Sequence, residues 1–442
     1  MKTKNVAWIV MLFVSLSIQS CKTQELKIDD FNAEIASKWN QKIIETAIAE
    51  DNLLTLKGVR AASMMHIAMH DALNSIVQKY SHYAYHTEMP EADPIASATY
   101  AAYSIAISQY PDKQEGFEKL LNEFINTINN GESKSQAQTL GKASAKAILE
   151  KRNDDNWNTK SDYTWHPMAP GVYAEFNEHS GTPEGFIFGA GLAIAKPFAL
   201  PKYNYFRAPP PPEINSKTYT KAFNEVKEVG GFNSKTRTAD QAHLAMWWKE
   251  FGESSHNQLL RDLIAKEKPN LWDATRTFAL MNMAICDAYI NVFDNKFHYN
   301  HWRPYTAIRW ADNDGNDDTE KDAEWNNLHK HTYPFPSYPS AHGTASTAAM
   351  TVLANTFGKG DDYKFIMTQK EVDSAGFFSG KMKMNPPTRS FNSFTEAGLE
   401  ASMSRVYLGI HFRYDSEEGH KLGAKVGNYI TDNFLSPIAL KD

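Results

Sequence analysis

Three short segments in the C-terminal half group cations, hydroxyls and imidazoles at spacings suited to gripping a multivalent anion. In the first, Lys296 precedes Arg303 by seven residues and Pro304 follows at once. Seven residues are close to two helical turns, so both cations are expected on one face near a helix end that Pro304 terminates. A solvated Lys/Arg pair on a helix has the same spacing, so this segment alone decides nothing. In the second, Phe335-Pro-Ser-Tyr-Pro339-Ser340-Ala341-His342-Gly343 leads into the small-residue run Thr344 to Leu353. The prolines hold the approach extended, and Ser340 stands where a helix would start. Its hydroxyl and the next backbone N–H groups can converge on an anion, with His342 near the same point; a capped helix with an incidental histidine is the plain alternative. In the third, six residues separate Arg405 from His411 and would put them on different faces of an unbroken helix, so Gly409 is expected to supply a turn that gathers both. Asp415, four residues after His411, can accept from Nδ1 and so present Nε2 as ligand or nucleophile; a helix-end histidine beside a surface carboxylate would look the same.

The elements that must carry these groups read as helices. From Phe31 to about Lys151 amphipathic segments follow one another, as in Arg60 to Tyr80, where Met64, Ile67, Ala68, Ala72 and Ile76 recur at helical steps. A turn-rich stretch from Asn153 to Pro212, ending in the run Pro209 to Pro212, cannot hold long helices. Periodicity resumes at Ser216–Val229, Ala239–Lys249, Asn257–Lys266 and Trp272–Asp294. An internal echo aligns Arg60, Met65, Ala68, Asp71 and Ala72 with Arg276, Met281, Ala284, Asp287 and Ala288, which suggests two bundles of related packing. Alternating β-branched runs are scarce, so the fold class is all-α. The organisation expected is 1–20 as a leader, 21–152 as an N-terminal bundle, 153–215 as a connecting region and 216–442 as the C-terminal helical domain.

At 442 residues the chain has room for two helical units, and 42% hydrophobic with 22% charged residues is ordinary globular composition. A formal net charge of -6 offers no general basic field, which argues against nucleic acid as a partner. Lys2 and Lys4, the apolar run Ala7 to Ile18 and the segment Ile18-Gln-Ser-Cys21 have the layout of a bacterial lipoprotein leader. Cys21 would then be the lipidated mature N-terminus, anchoring an exported protein to the periplasmic or cell-surface face of a membrane; a simple signal peptide is the alternative. No other apolar stretch approaches a membrane span, and mean hydropathy is -0.51. Cys286, the one other cysteine, sits in an apolar helical pattern and is expected to be buried and inert, which leaves no disulfide framework.

Three further groups draw attention and are set aside. The acidic loop Asp312 to Asp318 fails the EF-hand pattern, with Asp317 at the glycine position and Ala323 where the bidentate glutamate belongs, and is expected to be a solvated loop. His66 and His70, one turn apart without a metalloprotease glutamate, read as bundle packing. His298 and His301 lie between Lys296 and Arg303 and are candidates for the pocket mouth, with no role assigned.

Together the segments Lys296-x6-Arg303-Pro304, Pro339-Ser340-x-His342 and Ser404-Arg405-x5-His411-x3-Asp415 resemble the three-part signature of the superfamily joining type 2 phosphatidic acid phosphatases, soluble acid phosphatases and vanadium haloperoxidases. Lys196 to Leu200, Pro209 to Pro212 and Thr236-Arg-Thr-x-Asp240-Gln241 look like bacterial haloperoxidase-type members. The resemblance implies two helical bundles with one active site in the C-terminal bundle, vanadate as cofactor, and hydrogen peroxide and halide as substrates. It implies His411 as the axial vanadium ligand, Lys296, Arg303, Ser340, the Ala341 N–H and Arg405 on the equatorial oxygens, His342 as acid–base, Lys296 polarising the oxidant, and Asp415 behind His411. Phe335, seven positions before His342, falls where the family has its halide-neighbouring residue and is similar to the chloride-capable type. The same residues would serve a soluble acid phosphatase acting on phosphate esters, with His411 as nucleophile and His342 protonating the leaving alcohol. A non-catalytic oxyanion-binding lipoprotein is a third reading, which the intact histidines and cations oppose. One departure is Ala341, where the family more often has glycine: the N–H is kept, but the methyl group restricts φ and takes space beside the anion, which bears on cofactor retention and substrate range.

Overall fold

The computed structural model describes residues 26–438 apart from 52–54, 175, 250–251, 359 and 376–379; the expected leader and Cys21 lie outside these residues. The N-terminal half contains α1 (Glu34–Asp51), α2 (Thr55–Ile76), α3 (Pro94–Gln109), α4 (Gln114–Ile125) and α5 (Glu132–Lys151). A largely irregular stretch with the short α6 (Asn177–Ser180) leads to α7 (Lys217–Val229), α8 (Ala239–Trp247) and α9 (Gly252–Glu267). Then come α10 (Leu271–Tyr299), α11 (Pro304–Arg309), α12 (Ala341–Phe357), α13 (Phe394–Leu408) and α14 (Arg413–Asn433). No described helix is long and apolar enough to cross a membrane.

The helices form two similar groups. α2 packs on α3 and α5 as α10 packs on α12 and α14, and α2 lies against α10 at the centre. α10 is buried on almost every side from Leu271 to Lys296, the pattern of a central helix, and one continuous apolar core runs through both groups. The sequence echo has a structural counterpart. Asp71 accepts from the backbone N–H groups of Tyr83, Ala84 and Tyr85 at 2.9, 2.7 and 2.9 Å, and Asp287 accepts from Phe198, Ala199 and Leu200 at 2.5, 2.7 and 2.9 Å. Arg60 donates to the carbonyl of Arg152 just past α5, and Arg276 to that of Leu435 just past α14. Each bundle therefore pins one connecting loop with a central carboxylate and its last helix with a central arginine.

The all-α architecture carries a small addition that the sequence did not announce. Strands β1 (Phe365–Thr368), β2 (Glu371–Asp373), β3 (Lys381–Lys383) and β4 (Thr388–Phe391) pair antiparallel as β1 with β4 and β2 with β3, in the insertion between α12 and α13. His66 and His70 are buried in the bundle: His66 stacks on Phe278 at 4.4 Å and meets Asn40, and His70 meets the carbonyl of Ser81 at 3.0 Å. Cys286 is buried, and burial pushes its thiol far up. In the acidic loop Asp314 and Asn316 are buried rather than solvated. They bond to Thr319, to backbone N–H groups of the loop and to the carbonyl of Ile214, so the loop satisfies its own side chains.

Candidate active site

Lys296 lies one turn before the end of α10 and is fully buried, its Nζ donating to the carbonyls of Pro336 at 2.9 Å and Ser337 at 2.7 Å. The helix ends where Asn300 adopts the left-handed conformation, φ 45°, and donates its N–H to Lys296 O. Arg303 follows as the N-cap residue of α11, with Pro304 in the first turn. The expectation that both cations share a helix terminated by Pro304 is thus corrected. Pro304 starts a helix, because its fixed φ and missing N–H suit that position, and the turn at Asn300 returns Arg303 towards Lys296. Their cationic heads lie 5.2 and 4.8 Å from the ring centre of Phe335.

Ser340 caps α12 as expected, accepting from Gly343 N–H at 3.2 Å, and Ala341 is the first residue of the helix. The backbone N–H of Ser340 donates to the carbonyl of Asp415 at 2.9 Å, joining the second and third motifs. That join needs α14 to lie almost on the α12 backbone. Gly419 and Gly423 allow it: a Cβ on either would sit 2.6 Å from Ser340 O or 2.3 Å from Thr344 O, inside any real contact distance.

Gly409, at φ 84°, ends α13 and turns the chain as expected, bringing Arg405 and His411 to one place. His411 is 3% exposed; its Nδ1 lies 2.9 Å from Asp415 Oδ2 and its Nε2 3.2 Å from Arg303 Nη1. The same Asp415 oxygen accepts the hydroxyl of Ser337 and the N–H of Phe412, and Ser337 Oγ is 3.1 Å from His411 Nδ1. Burial, then Arg303, Lys296, Arg405 and His342, hold the His411 imidazole well below its ordinary pKa. It is neutral; with Nδ1–H directed at Asp415, the lone pair is on Nε2. Burial raises Asp415 to about 7 against the pull of Ser337, Lys296, Arg303 and the Phe412 N–H. Burial and Arg303 push Lys296 well below its usual value, and burial brings Arg303 down to about 10.

Arg303 Nη2, Arg405 Nε and His342 Nε2 are buried and have no hydrogen-bond partner among the described residues. Burial, Arg405 and His256 keep His342 well below its ordinary pKa. Unpaired buried donors on two arginines, beside a capped helix start and a neutral imidazole, fit a small anion with several oxygens. Lys296, Arg303, Ser340, Ala341, His342, Arg405, His411 and Asp415 therefore converge, with Phe335 as an aromatic wall. Among the remaining candidates, His298 is exposed, while His301 is packed behind the site on the hydroxyl of Tyr414 at 2.8 Å, so it does not line a mouth.

Sequence reading missed Ser337, which sits in a proline-rich loop without periodicity and shows itself only through Asp415. It also missed Trp248, whose carbonyl lies 3.5 Å from Arg405 Nη1, and Tyr333, which stacks on Phe335 at 5.8 Å. Residues of distant elements carry no local signal of this kind.

Residues 276–439 match the family described as the VCPO second helical-bundle domain. The vanadium chloroperoxidase of Curvularia inaequalis is 25% identical over 277 residues, 50% of this chain and 44% of that protein, so the match spans less than half of the relative's length. Among solved structures, the first bacterial vanadium-dependent iodoperoxidase superimposes with a TM-score of 0.71 at 24% identity, covering 93% of this chain and 99% of its own. The holo form of a bacterial vanadium-dependent chloroperoxidase gives 0.67 at 15% identity, covering 86% and 91%. The chain accordingly has the fold of the vanadium haloperoxidases, and its residues 276–439 are similar to the second helical-bundle domain of vanadium chloroperoxidase.

Proposed function

We propose that this protein is a vanadate-dependent haloperoxidase, oxidising halide with hydrogen peroxide to hypohalous acid. The observation that carries the reading is the set of buried donors on Arg303 and Arg405 and the buried His342 Nε2, all without a partner among the described residues, beside a neutral His411 whose Nδ1 is committed to Asp415. Vanadate carries the same tetrahedral arrangement of oxygens as phosphate, and bound here it would supply a Lewis-acid centre that activates peroxide towards a halide nucleophile.

The chain's own residues would do the rest. His411 Nε2 would offer its lone pair to the vanadium, and Asp415 and Ser337 hold the ring in that orientation. Lys296, Arg303, Arg405, the Ser340 hydroxyl and the Ala341 N–H would balance the charge of the oxygens, in a burial where such donors act strongly. His342, neutral at Nε2, could take a proton from incoming peroxide and return it to the oxygen that departs as water, while the other peroxide oxygen leaves on the halide and a further proton from solvent completes the hypohalous acid. Phe335 excludes water above both cations.

The test compares bromide and iodide oxidation with aryl phosphate hydrolysis, by purified protein before and after vanadate loading. Peroxide-dependent halide oxidation only after loading is expected, and His411→Ala should abolish it. Phosphate release inhibited by vanadate, without halide oxidation, would replace this reading by the phosphatase one, in which His411 Nε2 is the nucleophile. Unchanged turnover in His411→Ala would remove both.

A further inference from the structure

Between α11 and α12 the chain makes a tight turn at 327–332 and carries two histidines into the interior. Asn327, fully buried, holds the turn: its oxygen accepts from His331 N–H at 3.1 Å, and its amide donates to the His331 carbonyl at 2.8 Å and to Thr332 Oγ1 at 3.0 Å. Lys330 takes a left-handed conformation, φ 52°, with its side chain exposed, so the flanking His329 and His331 are directed inward. His329 is left 2% exposed, and neither of its ring nitrogens has a hydrogen-bond partner among the described residues. A neutral imidazole carries one N–H and one lone pair, and enclosing both without partners costs free energy that a phenyl ring in the same place would not.

Its surroundings are aromatic and cationic. The His329 ring is centred 6.2 Å from Tyr333, and the Arg405 guanidinium lies 5.9 Å from the centre of that same ring. Tyr333 stacks in turn on Phe335, which borders Lys296 and Arg303. Burial, then His331, Lys249, Arg405 and His179, hold His329 well below its ordinary pKa, so it is neutral, and Lys249 and Arg405 are the permanent cations among them. The position thus combines a positive field, a single N–H and aromatic walls, one ring away from the oxyanion cradle. A tetrahedral oxyanion needs many donors and has them at Arg303, Arg405 and Ser340; a monatomic anion needs one or two and tolerates ring edges beside it.

We propose that His329, together with Arg405, forms a halide-binding subsite adjoining the oxyanion cradle, with a His329 ring N–H as donor to the halide. The fate of the bound halide rests on the haloperoxidase reading; its binding does not.

Crystals soaked in bromide and measured at the bromine absorption edge should show an anomalous peak within hydrogen-bond distance of a His329 nitrogen, absent in His329→Phe. In vanadate-loaded protein His329→Phe should raise the halide KM by about tenfold, with peroxide KM, vanadate affinity and melting temperature unchanged, while His329→Gln, which keeps an N–H donor, stays within about threefold of wild type. A peak that persists in His329→Phe, no peak near His329, or halide and peroxide KM rising together in both variants would overturn the subsite. A peak at His329 in a protein that oxidises no halide would support the subsite and sink the haloperoxidase reading; halide oxidation with an unaltered halide KM in His329→Phe would do the reverse.

Discussion

Replacing Ser337 by alanine removes one of three donors to a carboxylate oxygen that has no access to water. Asp415 is 0% exposed, and its Oδ2 is satisfied by Ser337 Oγ–H, Phe412 N–H and His411 Nδ1–H. A hydrogen bond to a charged group contributes about 1.5–3 kcal/mol, so its loss should raise the Asp415 pKa by roughly one to two units. The folded value is already raised from 3.8 to about 7, so this group favours the folded state while protonated and opposes it as pH rises through that value. The substitution should therefore cost more stability at about pH 8.5, where Asp415 is ionised, than at about pH 5, where it is protonated. In vanadate-loaded protein the acid limb of halide oxidation should move to higher pH by about one unit, because only the ionised Asp415 orients Nδ1–H and leaves Nε2 bare. Urea unfolding at both pH values and a pH–rate profile read these effects. Equal destabilisation at both, with an unmoved acid limb, would refute the claim that Ser337 acts through Asp415.

Two further outcomes concern stability. Asp287→Asn sets an amide NH2 against backbone N–H donors and should cost about 1.5–3 kcal/mol in urea unfolding, with Asp71→Asn similar and the double variant nearly additive; unchanged midpoints would deny that these carboxylates pin the loops. Burial holds His66, His70 and His301 at about 3, and His329, His342 and His411 well below 6.5. Their contribution is complete above the unfolded value of 6.5 and is lost as pH falls, because the unfolded chain takes up protons that the folded one refuses. Asp71 and Asp287, raised to about 6, and Asp415 oppose this but are fewer. Stability of the vanadate-free protein should fall steadily from about pH 6.5 to about pH 5, and a flat or rising profile in denaturant titrations would contradict the count.

Much of the site could be read from residue types, because the chemistry is local to each motif. Ser340 had to cap a helix, Gly409 had to break one, and Asp415 stood one turn from His411, so each relation followed from backbone geometry over a few residues. Pro304 shows where such reading fails: a proline after an arginine suits a helix stop and a helix start equally, and the left-handed Asn300 upstream decided between them. The echo of Asp71 in Asp287 was visible as a pattern, but the N–H groups each gathers come from loops far away in sequence. Ser337, Tyr333 and His329 were not legible, because none sits in a periodic element; Trp248 closes the periodic α8, but its carbonyl approaches Arg405 only when α8 packs on α13. The sequence by itself determined which groups could hold an oxyanion and that helices would present them. The tertiary structure alone decided which pKa values shift and which donors stay unpaired, since both depend on burial and on charges brought close by packing rather than by chain order.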